Sequence, residues 1–196
     1  MNKIVIFASG EGTNAEWIFR YFRNHPSIKV VSLFCNNADA PAIGRAFNHN
    51  IPVRVFNKKD FYETDAILNE LIQLDVDLIV LAGFLWLVPE KIIENFPAKI
   101  VNIHPALLPK YGGKGMFGTK VFAEIIKYRE KMSGITIHYV NKKFDEGEII
   151  YQAMCRIDKG ETIESLADKT HRLEYHYYPV TIEKIIAEHN KIKSLL

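Results

Sequence analysis

The chain has 196 residues, 48% of them hydrophobic and 24% charged, with a formal net charge of +2. That length fits one domain spanning 1–196, with ample apolar content for a core. The scattered, near-neutral charge gives no footprint for nucleic acid or an anionic membrane. No apolar run approaches the roughly 18 residues of a membrane span, and no basic-then-apolar leader precedes the first strand, so a cytoplasmic protein is expected. Cys35 and Cys155 sit in apolar runs and read as reduced core residues.

Residues 3–8 (KIVIFA) form a short apolar run closed by Ser9 and Gly10, the pattern of a central parallel strand. Ala15, Ile18, Phe19 and Phe22 follow at helical spacing, and Pro26 ends that helix. Strands are predicted over 28–36 and 52–56, with a short helix over 41–50 between them. Ala66, Ile67, Leu71 and Ile72 give helical periodicity to 63–74. Buried strands over 78–82 and 100–104 flank a helix over 89–96. This alternation implies an α/β fold with a doubly wound, mostly parallel sheet.

The second half departs from that pattern. Residues 105–118 read as a long loop holding Gly112, Gly113 and Gly115, followed by a helix to about residue 131. Two strands, 134–141 and 148–158, come next. The first alternates, which predicts shallower burial and a place for the pair at a sheet edge. A long C-terminal helix over about 162–190 is expected to break or kink near Pro179.

Residues 9–14 (SGEGTN) join the first strand to the first helix. Small residues let backbone N–H groups approach an anion, and the helix N-terminus adds partial positive charge. The spacing of Gly10, Gly12 and Ala15 also fits a dinucleotide fingerprint, but the second strand ends at Cys35, Asn36 and Asn37 with no acid to hold a ribose. A lone phosphate monoester fits better. The competing account is a tight turn in which Thr13 or Asn14 caps the helix.

Asn102 and His104 stand two apart at the end of a strand, so they project together where open α/β sheets bind ligands. An amide can donate to a developing oxyanion, and an imidazole can donate to it or carry a proton. Acyl transfer needs both, although a strand-end cap would use the same residues. Asp145 falls in a turn (FDEG) between two strands and becomes functional only if it reaches His104, where it would favour the imidazolium. His138 could share that network or be a packed histidine. His25, His49 and His189 occupy helix ends that suggest solvent. No histidine pair has metal-ligand spacing with supporting acids or cysteines, so no metal is expected.

Taken together, these pieces resemble the folate-dependent formyltransferases, in particular the glycinamide ribonucleotide branch. The strongest motif is Val101 to Lys110 (VNIHPALLPK), followed by Tyr111 and Gly112. Leu81 to Phe84 (LAGF), the turn of Asp145 and Gly147 ahead of IIYQ at 149–152, and the SGxGTN loop complete the match. The resemblance implies a Rossmann-like formyltransferase fold. It also implies a catalytic trio of Asn102, His104 and Asp145. Gly12, Thr13, Asn14, His171 and Glu174, the last ahead of Tyr178 and Pro179, would serve the ribonucleotide and its phosphate. Leu85, Trp86, Leu87, Val88, Asn102, Asn141 and Phe144 would serve the folate.

The donor implied is 10-formyltetrahydrofolate as co-substrate. The acceptor is the amine of 5-phosphoribosylglycinamide in purine synthesis, with no covalent enzyme intermediate. Partners are small molecules, with room for a homodimer. Three departures stand out: Trp86 where many members carry arginine, His171 where some carry glutamine, and a loop over 110–117 rich in glycine and lysine. A family arginine expected between residues 57 and 65 has no counterpart there. The rivals are a methionyl-tRNA formyltransferase, which normally adds a C-terminal domain, and a formyltetrahydrofolate deformylase, which normally adds an N-terminal one. A nucleotide-sugar formyltransferase would lack the phosphate loop, and a non-catalytic nucleotide or folate binder would not need the trio.

Overall fold

The computed structural model describes residues 1–195. Seven strands form one sheet in the order β3-β2-β1-β4-β5-β6-β7. They are β1 (Asn2–Ala8), β2 (Ile28–Cys35), β3 (Val53–Val55), β4 (Leu78–Leu81), β5 (Ile100–His104), β6 (Met132–Tyr139) and β7 (Ile149–Arg156). The first five pair in parallel, while β6 and β7 are antiparallel. The helices are α1 (Thr13–Phe22), α2 (Pro41–Asn48), α3 (Ala66–Gln73), α4 (Glu90–Asn95), α5 (Thr119–Lys127) and α6 (Ile163–Leu195).

Alternation along the strands divides the core between two faces. Ile4, Ile6, Leu78, Val80, Val101 and Ile103 pack under α1, α2 and α6. Val5, Phe7, Ile79, Leu81 and Ile100 pack against α3 and α4. The second face is strongly aromatic: Phe7 stacks on Phe34 at 5.0 Å and meets Phe84 edge-on at 5.3 Å. Residues from α5 and the start of α6 form a smaller cluster around Phe122 and Leu166.

Several predicted features differ. A π-helical turn, Lys59–Glu63, precedes α3, whose regular part starts only at Ala66. The strand pair does lie at the sheet edge, but β6 is deeply buried despite its alternation: α6 covers its Ile135 and Ile137 face, and the loop after β5 covers Thr136 on the other. Its polar positions Ser133, Thr136 and His138 are buried; Thr136 and His138 have internal hydrogen-bond partners. Helix α6 runs through Pro179 without interruption. His25 and His49 are partly buried rather than free in solvent, and pair with Glu183 at 3.2 Å and Glu16 at 2.9 Å.

Candidate active site

A cavity of about 640 Å³ opens at the carboxyl ends of β1, β4 and β5. Parallel strands point their chain ends here, and the loops that follow form the walls. Asn102, His104 and Asp145 all line it. Asn102 and His104 come from β5, and Asp145 comes from the β6–β7 turn, where it takes a left-handed φ of 57°.

The trio is in contact. Asp145 Oδ2 lies 3.5 Å from His104 Nδ1 and accepts the Gly113 N–H at 2.9 Å. Asp145 Oδ1 lies 3.6 Å from His138 Nε2 and 3.4 Å from Asn102 Nδ2. Asn102 Nδ2 is also 3.2 Å from His138 Nε2. Two ring tautomers follow from acceptor-only partners. His138 Nδ1 donates to the Tyr139 carbonyl at 2.8 Å, which turns Nε2 toward Asn102 and Asp145. His104 Nε2 donates to the Tyr111 carbonyl at 2.7 Å, which leaves Nδ1 toward the carboxylate.

Electrostatics refine the expectation for His104. Burial lowers its pKa and outweighs the upward pull of Asp145 and the Tyr111 carbonyl, so the resting ring is neutral rather than imidazolium. Burial would raise Asp145, but His138, His104 and the Gly113 N–H together leave its pKa below the ordinary carboxylate value. Asp145 therefore stays charged, ready to stabilise a proton on His104 when one arrives.

The Gly12–Asn14 turn forms another wall, with His171 and Glu174 of α6 beside it. Neither Thr13 nor Asn14 caps α1; Gly12 itself is the N-cap, at φ 70°. A Cβ on Gly12 would lie 2.5 Å from Ala42 Cβ, so glycine is required both by the backbone conformation and by the close approach of α2. Asn14 Nδ2 instead donates to Glu174 Oε2 at 2.8 Å. Burial raises Glu174 to a pKa of about 7, with the Asn14 bond pulling the other way.

Leu85, Trp86, Leu87, Val88 and Phe144 line the cavity, and Trp86 and Val88 pack into the core on the α3/α4 side. Trp86 is also core packing, against Phe56 at 5.9 Å, Phe61 at 6.0 Å and Phe84 at 6.3 Å. Lys58 Nζ lies 5.9 Å from its ring centroid, so a cation stands close to this position. Asn141 is not among the lining residues. Its side chain braces the β6–β7 turn, donating to the Glu146 carbonyl and accepting the Lys143 N–H. The Gly113 N–H and Tyr111 carbonyl were invisible to side-chain reasoning, because both act through backbone. His138 carried only the weak signal of a histidine on a strand. No metal-binding cluster occurs among the described residues.

This arrangement offers an amide and a buried imidazole, tuned by a carboxylate, beside an anion-ready helix start and an apolar wall. The formyl transferase family model matches residues 2–182, and the chain belongs to that family. It is 34% identical over 196 residues to a phosphoribosylglycinamide formyltransferase of Bacillus subtilis, covering 97% of this chain and 98% of the relative. It is 37% identical over 188 residues to that of Haemophilus influenzae, covering 93% and 86%. The crystal structure of phosphoribosylglycinamide formyltransferase from Bacillus halodurans superposes with a TM-score of 0.85 at 31% identity, covering 96% of this chain and 97% of that one. The Anaplasma phagocytophilum structure gives 0.86 at 33% identity, covering 95% and 88%.

Proposed function

We propose that this chain transfers the formyl group of 10-formyltetrahydrofolate to the amine of 5-phosphoribosylglycinamide, a step of purine biosynthesis. The observation that carries the reading is the contact of Asn102, His104 and Asp145 within one cavity. The phosphate turn and α6 stand on one side of the sheet, and the Leu85–Val88 wall on the other. Phosphate binding by Gly12, Thr13, Asn14, His171 and Glu174 is supported by their convergence on the N-terminus of α1. Folate contact by Leu85, Trp86, Leu87, Val88, Asn102 and Phe144 is supported by the apolar wall that most of them build. Asn141 enters this reading as the brace of the turn that carries Phe144 and Asp145.

In this mechanism Asn102 turns an N–H toward the oxyanion that develops when the amine attacks the formyl carbon. His104 takes the proton that the attacking amine sheds, with Asp145 offsetting its cost of burial, and passes it to the folate nitrogen as that nitrogen's bond to the formyl carbon breaks. The acceptor amine is the nucleophile, so no side chain needs to form a covalent bond. No helix among the described residues is long and apolar enough to cross a membrane. Action in the reducing cytoplasm is supported by the two free cysteines, buried Cys35 and half-buried Cys155.

A formyl-transfer assay tests the proposal, with 5-phosphoribosylglycinamide, water and initiator tRNA as alternative acceptors. Transfer to the ribonucleotide alone is expected. Formate release at the same rate without ribonucleotide would assign the chain to the deformylases, and labelling of the tRNA to the tRNA enzymes. Light scattering with and without substrates reads out whether it forms a homodimer.

A further inference from the structure

His171 and Glu174 stand three residues apart on α6, so they share a helix face beside the Gly12–Asn14 turn. The His171 ring is fixed by aromatic neighbours. It stacks on Tyr175 at 6.0 Å and meets Phe122 edge-on at 6.2 Å, and Trp17 of α1 backs Tyr175 at 5.4 Å. No hydrogen bond among the described residues engages its nitrogens. Burial lowers its pKa, against a smaller upward pull from Asp168. Glu174 is 5% exposed, and Asn14 is its hydrogen-bond partner.

Fixed cations are scarce around this pair. From α1 comes neutral Asn14, preceded by Glu11 in the cavity wall; Arg45 of α2 reaches the turn only through the Glu11 carbonyl, at 2.7 Å. From α5 comes Phe122, while Lys120 extends to Gly115 in the loop that also carries Lys114. From β6 comes His138, engaged with Asn102. Helix α6 adds Asp168 and Tyr175 beside His171, and Tyr178 beside Glu174. No lysine or arginine side chain donates to Thr13, Asn14 or Glu174 among the described residues. A phosphate monoester brings nearly two negative charges at neutral pH. Seated at the turn, it favours an imidazolium at His171 and a neutral carboxyl at Glu174, since like charges in a dry site repel strongly.

We propose that the acceptor's phosphate enters this subsite together with a proton, which His171 and Glu174 hold, while Tyr175 and Trp17 act as positioning residues for the His171 ring. The inference rests on the phosphate subsite proposed above. The imidazolium supplies the charge that an arginine would otherwise bring, and the neutral carboxyl removes a repulsion and offers an O–H donor.

Titration calorimetry with ribose 5-phosphate at pH 7.5, in two buffers of different ionisation enthalpy, counts the protons exchanged. An uptake of at least ~0.5 proton per ligand is expected. His171→Gln and Glu174→Gln should each reduce it, and the double variant should abolish it. Trp17→Ala and Tyr175→Ala should raise KM for the ribonucleotide with little change in kcat, an effect lost in a His171→Gln background. Ribose 5-phosphate binding with heats that do not depend on the buffer overturns the inference and leaves the subsite standing. If ribose itself binds as well as its 5-phosphate, the subsite fails and the inference falls with it.

Discussion

Glu174 gives a stability test that needs no substrate. Its carboxyl is almost fully buried, with pKa raised from 4.5 to about 7, burial being the main cause and the Asn14 hydrogen bond a partial offset. The folded state therefore holds this proton more tightly than the unfolded chain. Such a group contributes its full stability below the unfolded value, and loses it as pH rises through the folded value. That difference corresponds to about 3 kcal/mol in full, most of which falls between pH 5 and pH 8. Glu174→Gln keeps the shape and an oxygen for Asn14 but cannot ionise. Urea melts of both proteins at pH 5, 6, 7 and 8 give the stability difference directly. The variant should gain on the parent steadily across that range, by about 2–3 kcal/mol in total. A difference that does not change with pH would mean that Glu174 keeps an ordinary pKa, through water or a partner that stabilises its charge, and the reasoning about its burial would be wrong.

Asn102→Ala should lower kcat by about 10²–10³ with KM for both substrates nearly unchanged, because in the proposed mechanism the amide serves an oxyanion that develops only in the transition state; equal losses in binding would make it a structural cap. Asp145→Asn removes the main upward influence on a His104 already lowered by burial. Its rate should fall, and the limb of the pH–rate profile that reports His104 should move to lower pH; an unmoved limb would return Asp145 to the part of a turn residue. Gly12→Ala combines the left-handed penalty of about 1–2 kcal/mol with overpacking against Ala42 of about 1–3 kcal/mol. Thermal melting should fall by roughly 4–20 °C, and ribonucleotide KM should rise at temperatures where the variant is folded. For that reason loss of binding at Gly12 does not by itself locate the phosphate.

The sheet was legible in the sequence because burial writes itself locally. Runs such as residues 3–8 and 78–82 are apolar on both faces because helices cover both faces, and the turn residues between them punctuate the order. Asn102 and His104 were legible as a pair because the strand period alone puts them on one side. The fate of β6 was not: its alternating polar residues look like a solvent face until the loop after β5 closes over Thr136, and Thr136 and His138 find buried partners. Pro179 likewise reads as a breaker, yet α6 is held through it by Tyr178, Ile182 and Ile186 packed on the sheet.

The sequence by itself determined the strand–helix alternation, the glycine turn and the residue types fit for formyl transfer, since each depends on neighbours a few positions apart. Only the tertiary structure decided that Asp145 reaches His104 from 41 positions further along the chain, that His138 joins them, and that Tyr111 and Gly113 complete the site through their backbone groups. It also set the direction in which the buried groups' pKa values move. The lowering at His104 and the raising at Glu174 depend on how much water and how many charges the fold leaves around them, and no local pattern of residues encodes that.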